Sequence, residues 1–264
     1  MCPHCRAFIT TADKVCPYCD TAVAPRRIEW AASSDFFLTP LILLINVGLF
    51  IVTIFASMKS TGGGGFLDVD GRTLFSFGAK LSPAIAAGQW WRLITAGFLH
   101  GGLMHIFMNS YAFLDLGRQV EMYYGARRMV VIYILSTIGG FYLSSVWSEA
   151  LSIGASAGLM GLLGAMLALT MQHQGPAASY LRGMYTRYAV WVLAIGLLPG
   201  LRIDNAAHIG GFAVGFGVGY LAHTQRGSTR TAERTWGVLA ILCICLTLYA
   251  FLRWYLWFSG VTRI

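Results

Sequence analysis

Seven long apolar runs are the feature that most constrains how this chain can fold. Each run approaches or reaches the length of about 17–25 residues that an α-helix needs to cross a hydrocarbon layer. The runs cover residues 37–58, 101–119, 129–147, 156–172, 185–199, 206–222 and 236–258. Charged residues make up 11% of the 264 positions, against about 25% in soluble domains. The sequence therefore predicts an all-α, multi-pass membrane protein.

The basic residues between the runs indicate how the chain is oriented. If the N-terminus is cytoplasmic, twelve of the 19 Lys and Arg residues fall on cytoplasmic segments and seven on the other side. Positive charge accumulates on the cytoplasmic side of membrane proteins, so we expect a cytoplasmic N-terminus. This distribution also accounts for the net charge of +8, and we expect no nucleic-acid partner.

Two reactive residues stand at the starts of apolar runs. Ser156 begins the fourth run and His208 lies at the start of the sixth. Both runs head inward from the external side, so the two side chains share one depth. Ionisable and nucleophilic groups at membrane depth favour a function over a structural role, and Ser with His is the pair used in nucleophilic hydrolysis. The nearest acid, Asp204, is expected to cap the sixth helix, which leaves a Ser–His dyad.

A second polar pair lies near the external end of the second run. His105 and Asn109 are four residues apart, so they share one face of a helix. One interpretation is hydrogen bonding between helices, which is common for such residues in membrane bundles. The other is that His105, Asn109 and the backbone N–H of Ser156 stabilise the oxyanion formed during acyl transfer.

Small residues predict a close approach of the helices that carry Ser156 and His208. Gly154 lies two residues before the serine, and Gly211, Gly215 and Gly219 follow the histidine at intervals of four. Such ladders let helix backbones touch. We expect this contact to bring His208 within hydrogen-bond distance of Ser156.

Together these motifs resemble the rhomboid family of intramembrane serine proteases. The residues that carry the resemblance are Trp91-Arg92, His100, His105-x-x-x-Asn109, Glu121, Gly154-x-Ser156 and Ala207-His208-Ile209-Gly210-Gly211, in that order. The resemblance covers about half of the chain. It implies a six-helix catalytic core, to which the seventh run adds a C-terminal transmembrane helix.

The resemblance also implies roles for individual residues. Ser156 would be the nucleophile and His208 the general base, with His105 and Asn109 on the oxyanion side. Arg92 and Glu121 would form a structural pair that ties the first loop to the second span.

The same resemblance implies a substrate and a location. The substrates would be transmembrane segments of other proteins, which enter between spans two and five and are cleaved without a catalytic cofactor. We expect the protein in a bacterial plasma membrane. One departure from the family is Ala157, where a Gly usually follows the nucleophile. We expect this difference to bear on the rate of cleavage or the choice of substrate, and not on the chemistry.

Four cysteines precede the first run, in two C-x-x-C pairs. They are Cys2, Cys5, Cys16 and Cys19. Four thiolates suit a tetrahedral Zn²⁺, and a reducing cytosol keeps thiols free. A redox disulfide pair or an iron site is the alternative. We interpret residues 1–24 as a small zinc ribbon, which could also bind a cytosolic partner.

The predicted organisation is a ribbon at 1–24, a linker at 25–36, a rhomboid-like core at 37–224 and a loop with the seventh helix at 225–264. Two other functions compete with proteolysis. A catalytically silent rhomboid-like protein would bind membrane clients, but such relatives usually lack the Ser or the His. A transporter would need inverted repeats or mid-span carboxylates, and the sequence shows neither.

Overall fold

The computed structural model describes residues 2, 4–8, 13, 15–21, 37–61, 68–222, 224 and 228–261. The chain divides into two compact units, Met1–Asp35 and Phe36–Ile264. The predicted linker at 25–36 lies outside the described residues. The boundaries within the second unit stay predictions.

The second unit is built from helices. They are α1 (Leu38–Thr61), α2 (Gly71–Ser76), α3 (Ser82–Ala86), α4 (Arg92–Thr95), a 3₁₀ turn (Ala96–Phe98), α5 (Leu103–Trp147), α6 (Ser156–Met171), α7 (Pro176–Ile195), α8 (Asn205–Ala222) and α9 (Arg230–Phe258). The four short elements between α1 and α5 form what we call the first loop. The all-α membrane fold predicted from the apolar runs is confirmed.

Length and hydropathy alone single out fewer spans than the seven predicted. Among the described residues, α1, α5 and α9 are long and apolar enough to cross a membrane, and α6 is a shorter apolar helix. Two of the predicted spans lie within α5, which has 45 residues.

The break predicted between spans two and three is a kink rather than a separate loop at residues 120–128. Helical structure continues up to a sharp kink at Gly125, which has φ 78° and ψ 161°. A positive φ is a conformation that glycine adopts without a Cβ clash. The first half of α5 (103–124) carries His105 near Ser156, and the second half (126–147) brings Ser144 back to Asp204 at the start of α8. The chain therefore reverses at Gly125.

The helix that carries most of the predicted fifth span, 185–199, begins earlier than that apolar run. Helix α7 begins at Pro176, after Gly175 with φ 113°. Proline suits the first position of a helix because its missing N–H would have no partner there. The first turns of α7 contain polar residues and fall outside the apolar run, so hydropathy did not indicate where this helix begins.

Helices α6 and α8 touch through their backbones. A Cβ atom on Gly211 would lie 2.1 Å from the carbonyl oxygen of Ala157, and one on Gly215 would lie 2.0 Å from that of Gly161. Side chains larger than hydrogen cannot occupy these two positions at this separation. The close approach that the glycine spacing predicted is present.

Helix α9 packs on the first loop through aromatic side chains. The ring pairs, with centroids 5.5–5.9 Å apart, are Phe75–Trp257, Phe77–Trp254, Phe77–Phe258, Trp90–Tyr249 and Phe98–Phe251. The indole N–H of Trp254 also donates to the carbonyl oxygen of Ser76 at 2.8 Å. Each aromatic pair adds about 0.5–1.5 kcal/mol beyond burial, so α9 braces the loop.

Candidate active site

Ser156 is the first residue of α6, and the turn before it is set by Gly154. Gly154 has φ 126°, which is strained for any residue with a Cβ. Its N–H donates to the carbonyl oxygen of Ala96 in the first loop at 3.0 Å. The hydroxyl thus lies at a helix N-terminus, where free N–H groups and the helix dipole favour developing negative charge.

His208 lies in the first turn of α8 and faces Ser156. Its Nε2 atom is 2.9 Å from Ser156 Oγ, a hydrogen-bond distance. The side chain is 5% exposed, so the pair is shielded from bulk water. Nδ1 has no hydrogen-bond partner among the described residues. No described carboxylate therefore hydrogen-bonds to the ring from behind, and the Ser–His dyad stays a prediction.

The start of α8 is held by Asp204. Its Oδ1 accepts from the backbone N–H of Ala207 at 2.9 Å, and its Oδ2 accepts from the hydroxyl of Ser144. This is the helix cap expected from the sequence. It also ties the turn that carries His208 to the end of α5.

His105 lies beside Gly154, next to the serine. A Cβ atom at Gly154 would lie 2.8 Å from His105 Nε2 and 3.4 Å from Ser156 Oγ. The absence of a side chain at Gly154 therefore lets the imidazole approach the serine. His105 Nδ1 lies 3.4 Å from the backbone nitrogen of Gly101, which leaves Nε2 directed towards the site.

Asn109 is not hydrogen-bonded to the Ser156–His208 pair. Its side-chain nitrogen donates to the carbonyl oxygen of His105, one turn earlier on the same helix, at 2.9 Å. The side chain is 8% exposed. An amide nitrogen carries two N–H donors, so this bond leaves one of them for another acceptor.

Two functional candidates received no role from the sequence. His100 is fully buried, and its ring meets that of His105 edge to face at 5.1 Å. Lys80 is also fully buried, and its Nζ donates to the carbonyl oxygens of Ser148 and Ala150 at 2.6 and 3.1 Å. Its backbone pairs with Ser152, so Lys80 fastens the segment that leads to Ser156. Nothing in the local sequence marks it.

The expected pairing of Arg92 with Glu121 is wrong, because each binds other partners. Arg92 is buried in the first loop, where its guanidinium donates to the carbonyl oxygens of Phe75 and Ala79 at 2.8 and 2.7 Å. It also stacks on Phe75, with 4.0 Å between the guanidinium carbon and the ring centroid. The residue organises the loop internally rather than linking it to α5.

Glu121 instead caps α1. Its carboxylate accepts from the backbone N–H groups of Phe37, Leu38 and Thr39 at 2.8–3.1 Å and from the Thr39 hydroxyl at 2.6 Å. The first N–H groups of a helix have no partner within it, and a negative charge there also complements the dipole. Glu121 thus joins α5 to the start of α1.

The N-terminal unit brings the four cysteines together. Their sulfur atoms all lie within 4.8 Å of one another. The separations are 3.7 Å between Cys2 and Cys19 and 3.6 Å between Cys5 and Cys16. Tetrahedral Zn–S bonds of about 2.3 Å place sulfurs about 3.8 Å apart, so the cluster has the size of such a site.

The two C-x-x-C turns share one backbone pattern. The N–H of Arg6 donates to the carbonyl oxygen of Cys2, and that of Asp20 to the carbonyl oxygen of Cys16, both at 3.0 Å. Arg6 and Asp20 have positive φ angles of 60° and 52°. Hydrogen bonding to the side chain of Thr21 lowers the pKa of the Cys19 thiol to about 5.

Comparisons with known proteins agree with this architecture. The family model described as Rhomboid domain matches residues 87–225. RHOMBOID-like protein 6, mitochondrial, of Arabidopsis thaliana is 33% identical over 223 residues, which cover 75% of this chain and 71% of that protein. Rhomboid protease GluP of Bacillus subtilis is 40% identical over 147 residues, 54% of this chain and 28% of that protein.

A third relative extends the range of organisms. Rhomboid-like protease 1 of Toxoplasma gondii is 32% identical over 182 residues, which cover 67% of this chain and 62% of that protein. The matched region of the family model includes the first-loop arginine, the kinked α5, and the helices that carry Ser156 and His208. The chain belongs to the rhomboid family.

Proposed function

We propose that this protein is an intramembrane serine endopeptidase that uses Ser156 and His208. The observation that carries the proposal is the 2.9 Å separation of His208 Nε2 and Ser156 Oγ at the adjoining ends of two helices in backbone contact. Membership of a family with relatives named as proteases supports it. A catalytically silent client-binding protein would not need this hydrogen bond.

The reaction would proceed through an acyl-enzyme. Ser156 Oγ attacks the carbonyl carbon of the scissile peptide bond while its proton passes to His208 Nε2. The tetrahedral intermediate collapses, the C–N bond breaks, and the leaving amine takes the proton from His208. Water then attacks the ester, again with His208 as the base, and releases the carboxyl product and free Ser156.

The oxyanion of the tetrahedral intermediate needs donors already in place. The first candidates are the backbone N–H of Ser156, which is at the start of α6, and the Nε2 of His105, which lies near the serine hydroxyl beside Gly154. Asn109 would join them through the N–H that its bond to the carbonyl of His105 does not use. We assign it a supporting position on the same face of α5.

The substrate would be a transmembrane segment that enters between the first half of α5 and α7. Of the side chains along α7, Tyr185 is buried, whereas Val190 and Trp191 are 60% and 62% exposed. On α5, Phe107 and Tyr111 are 61% and 69% exposed. These two apolar faces would meet the substrate helix, which must unwind locally because its own hydrogen bonds shield its amides.

The four cysteines would hold a structural Zn²⁺, because four thiolates at these separations suit that ion. We place this ribbon in the cytoplasm, where thiols stay reduced, and the serine near the external side. Similarity to the Bacillus subtilis protein favours a bacterial plasma membrane. A cytosolic partner of the ribbon would explain why it lies outside the catalytic unit.

Labelling with a serine-directed fluorophosphonate tests the proposal. Wild-type protein in detergent should be labelled and should cleave a model transmembrane substrate. Ser156→Ala should abolish both, and His208→Ala should abolish cleavage because the pair acts as a unit. Ser179→Ala, an exposed serine on α7, is the matched control and should behave as wild type. Cleavage by Ser156→Ala at the wild-type rate would exclude the mechanism.

A further inference from the structure

Lys80 and Asp204 both bind the last turn of α5. Lys80 Nζ donates to the carbonyl oxygen of Ser148 at 2.6 Å, and Asp204 Oδ2 accepts from the hydroxyl of Ser144. The N–H of Ser148 donates to the carbonyl oxygen of Ser144 at 3.0 Å, so the two points of attachment are one helical turn apart. A cation from the first loop and an anion from the start of α8 therefore meet at the same end of α5.

The ammonium of Lys80 needs an opposite charge nearby. The side chain is fully buried, and a charge removed from water is costly unless another charge offsets it. Among the described residues, no carboxylate forms a direct ion pair with Lys80. Burial lowers the pKa of Lys80, and attraction to the carboxylate of Asp204 opposes this shift. The two groups thus attract each other across the end of α5 without touching.

Each of the two residues is also fastened to one half of the candidate active site. Lys80 exchanges two backbone hydrogen bonds with Ser152, each of 3.0 Å, four residues before Ser156. The carbonyl oxygen of Asp204 accepts from the N–H of His208 at 3.1 Å. The attraction between the two charges therefore draws the segment that leads to the serine towards the turn that carries the histidine.

We propose that Lys80 and Asp204 form a charge pair that sets the position of Ser156 relative to His208. Both are positioning residues, because their side chains bind α5 and backbone groups rather than the serine hydroxyl or the imidazole. The inference rests on the proposed use of Ser156 and His208. It goes beyond a helix cap and a set of carbonyl contacts, since neither of those requires an opposite charge. It predicts that each residue depends on the other.

Asp204→Asn separates the charge from the helix cap. Asn caps a helix about as well as Asp. Its Oδ1 can accept from the N–H of Ala207, and its amide can donate to the hydroxyl oxygen of Ser144, so the variant removes only the charge. We expect kcat for cleavage of a model transmembrane substrate to fall about ten-fold with KM unchanged, because misplaced reacting groups slow the chemical step. A cap without a charged role predicts the wild-type kcat.

A double-mutant cycle tests the dependence of one residue on the other. Rates are measured on the full chain in detergent and divided by the amount of folded protein. Lys80→Met/Asp204→Asn leaves neither charge unpaired, so its loss of kcat should be about 10–20-fold rather than the about 100-fold expected of independent residues. The midpoints of thermal unfolding should be non-additive in the same sense.

Glu149→Gln is the matched control for the cycle. Glu149 is an exposed carboxylate next to Ser148 in the chain, and its negative charge is not among those that act on Lys80. The variant should keep the wild-type kcat, and its effect should multiply with that of Lys80→Met. Non-additivity at Asp204 but not at Glu149 would assign the interaction to the proposed pair.

Three results would contradict the pair. They are a wild-type kcat and unfolding midpoint in Asp204→Asn, a double variant whose loss equals the product of the single losses, and, if Asp204→Asn yields no folded protein, a double variant that does not restore it. A wild type that neither cleaves nor reacts with fluorophosphonate would instead refute the proposed function, and the unfolding midpoints would still report whether the two charges interact.

Discussion

The contact between α6 and α8 and the contact between α9 and the first loop are built in opposite ways. The first brings backbones together at glycines, and a Cβ at Gly215 would lie 2.0 Å from the carbonyl oxygen of Gly161. The second joins the largest side chains of the protein, such as Trp254 against Phe77. Backbone contact fixes a position closely, whereas stacked rings can slide. We therefore expect the glycine contact to set the geometry of Ser156 and His208, and the aromatic contact to supply stability.

The largest effect is expected from Gly215→Val. The new side chain must push α8 away from α6, which separates His208 from Ser156, and a displacement of about 1 Å can cost about 100-fold in rate. Initial rates of substrate cleavage, divided by the amount of folded protein, measure it. Gly217→Val on the same helix is the matched control, because a Cβ there meets nothing within 4 Å. Similar rates for the two variants would show that the glycine contact does not set the geometry of Ser156 and His208.

The second-largest effect on activity is expected from Lys80→Met, which tests whether the first loop also positions the site. In Lys80→Met the side chain keeps much of its length but leaves the carbonyl oxygen of Ala150 without a donor and that of Ser148 with the Ser82 hydroxyl alone. Each unsatisfied buried group costs about 1–3 kcal/mol, and the segment before Ser156 loosens. We expect turnover to fall about ten-fold, or ~1.4 kcal/mol in the barrier, together with thermal stability. Unchanged turnover would restrict the loop to a stabilising role.

A smaller effect on activity is expected from Trp254→Ala in the aromatic contact. Removing a packed Trp costs about 3–5 kcal/mol, and the hydrogen bond to Ser76 is lost as well. The melting temperature in detergent should fall clearly, while fluorophosphonate labelling per folded molecule changes by less than about three-fold. The melting temperature of Trp254→Phe, which keeps an aromatic ring but not the N–H, should lie between those of the wild type and Trp254→Ala. If labelling of Trp254→Ala fell as much as turnover falls in Lys80→Met, the aromatic contact would also set the geometry of the site, and the two contacts would not differ in role.

The smallest effect is expected from deleting residues 1–24. These residues belong to the other compact unit, so the rate of cleavage in detergent should stay unchanged. Elemental analysis of the intact chain should find about one zinc per molecule, lost when Cys2 and Cys16 are changed to Ser. A disulfide in place of the metal would disprove the ribbon and weaken the case for a cytoplasmic N-terminus.

The sequence predicted those parts of the site that follow from regular spacing. Glycines four residues apart predicted the α6–α8 contact, and that contact brings His208 to Ser156. Asp204 was recognised as a cap from its position before an apolar run. In each case the residues that carry the prediction are spaced within one or two helical turns of one another along the chain, and the geometry of a helix is known in advance.

Features that depend on contacts distant along the chain escaped prediction. Arg92 and Glu121 were expected to pair, but each satisfies backbone groups of another segment, and no periodicity reports such groups. Lys80 looks like an ordinary loop lysine until the loop folds against Ser148. The runs predicted a break between the second and third spans, but not that it would be a kink at Gly125 within helical structure, since a glycine alone does not show whether the chain bends or continues.

The cap that Glu121 places on α1 bears on the order in which the protein is made. The carboxylate and the N–H group of Phe37 are 84 residues apart, which is about 4–17 s of synthesis at 5–20 residues per second. During that interval α1 leaves the ribosome with its first N–H groups unpaired, and they must stay in contact with water or headgroups. The N-terminal end of α1 can therefore take its final depth only after the Gly125 hairpin has begun to insert. Biogenesis of the bundle is thus coupled across its first two membrane-crossing elements.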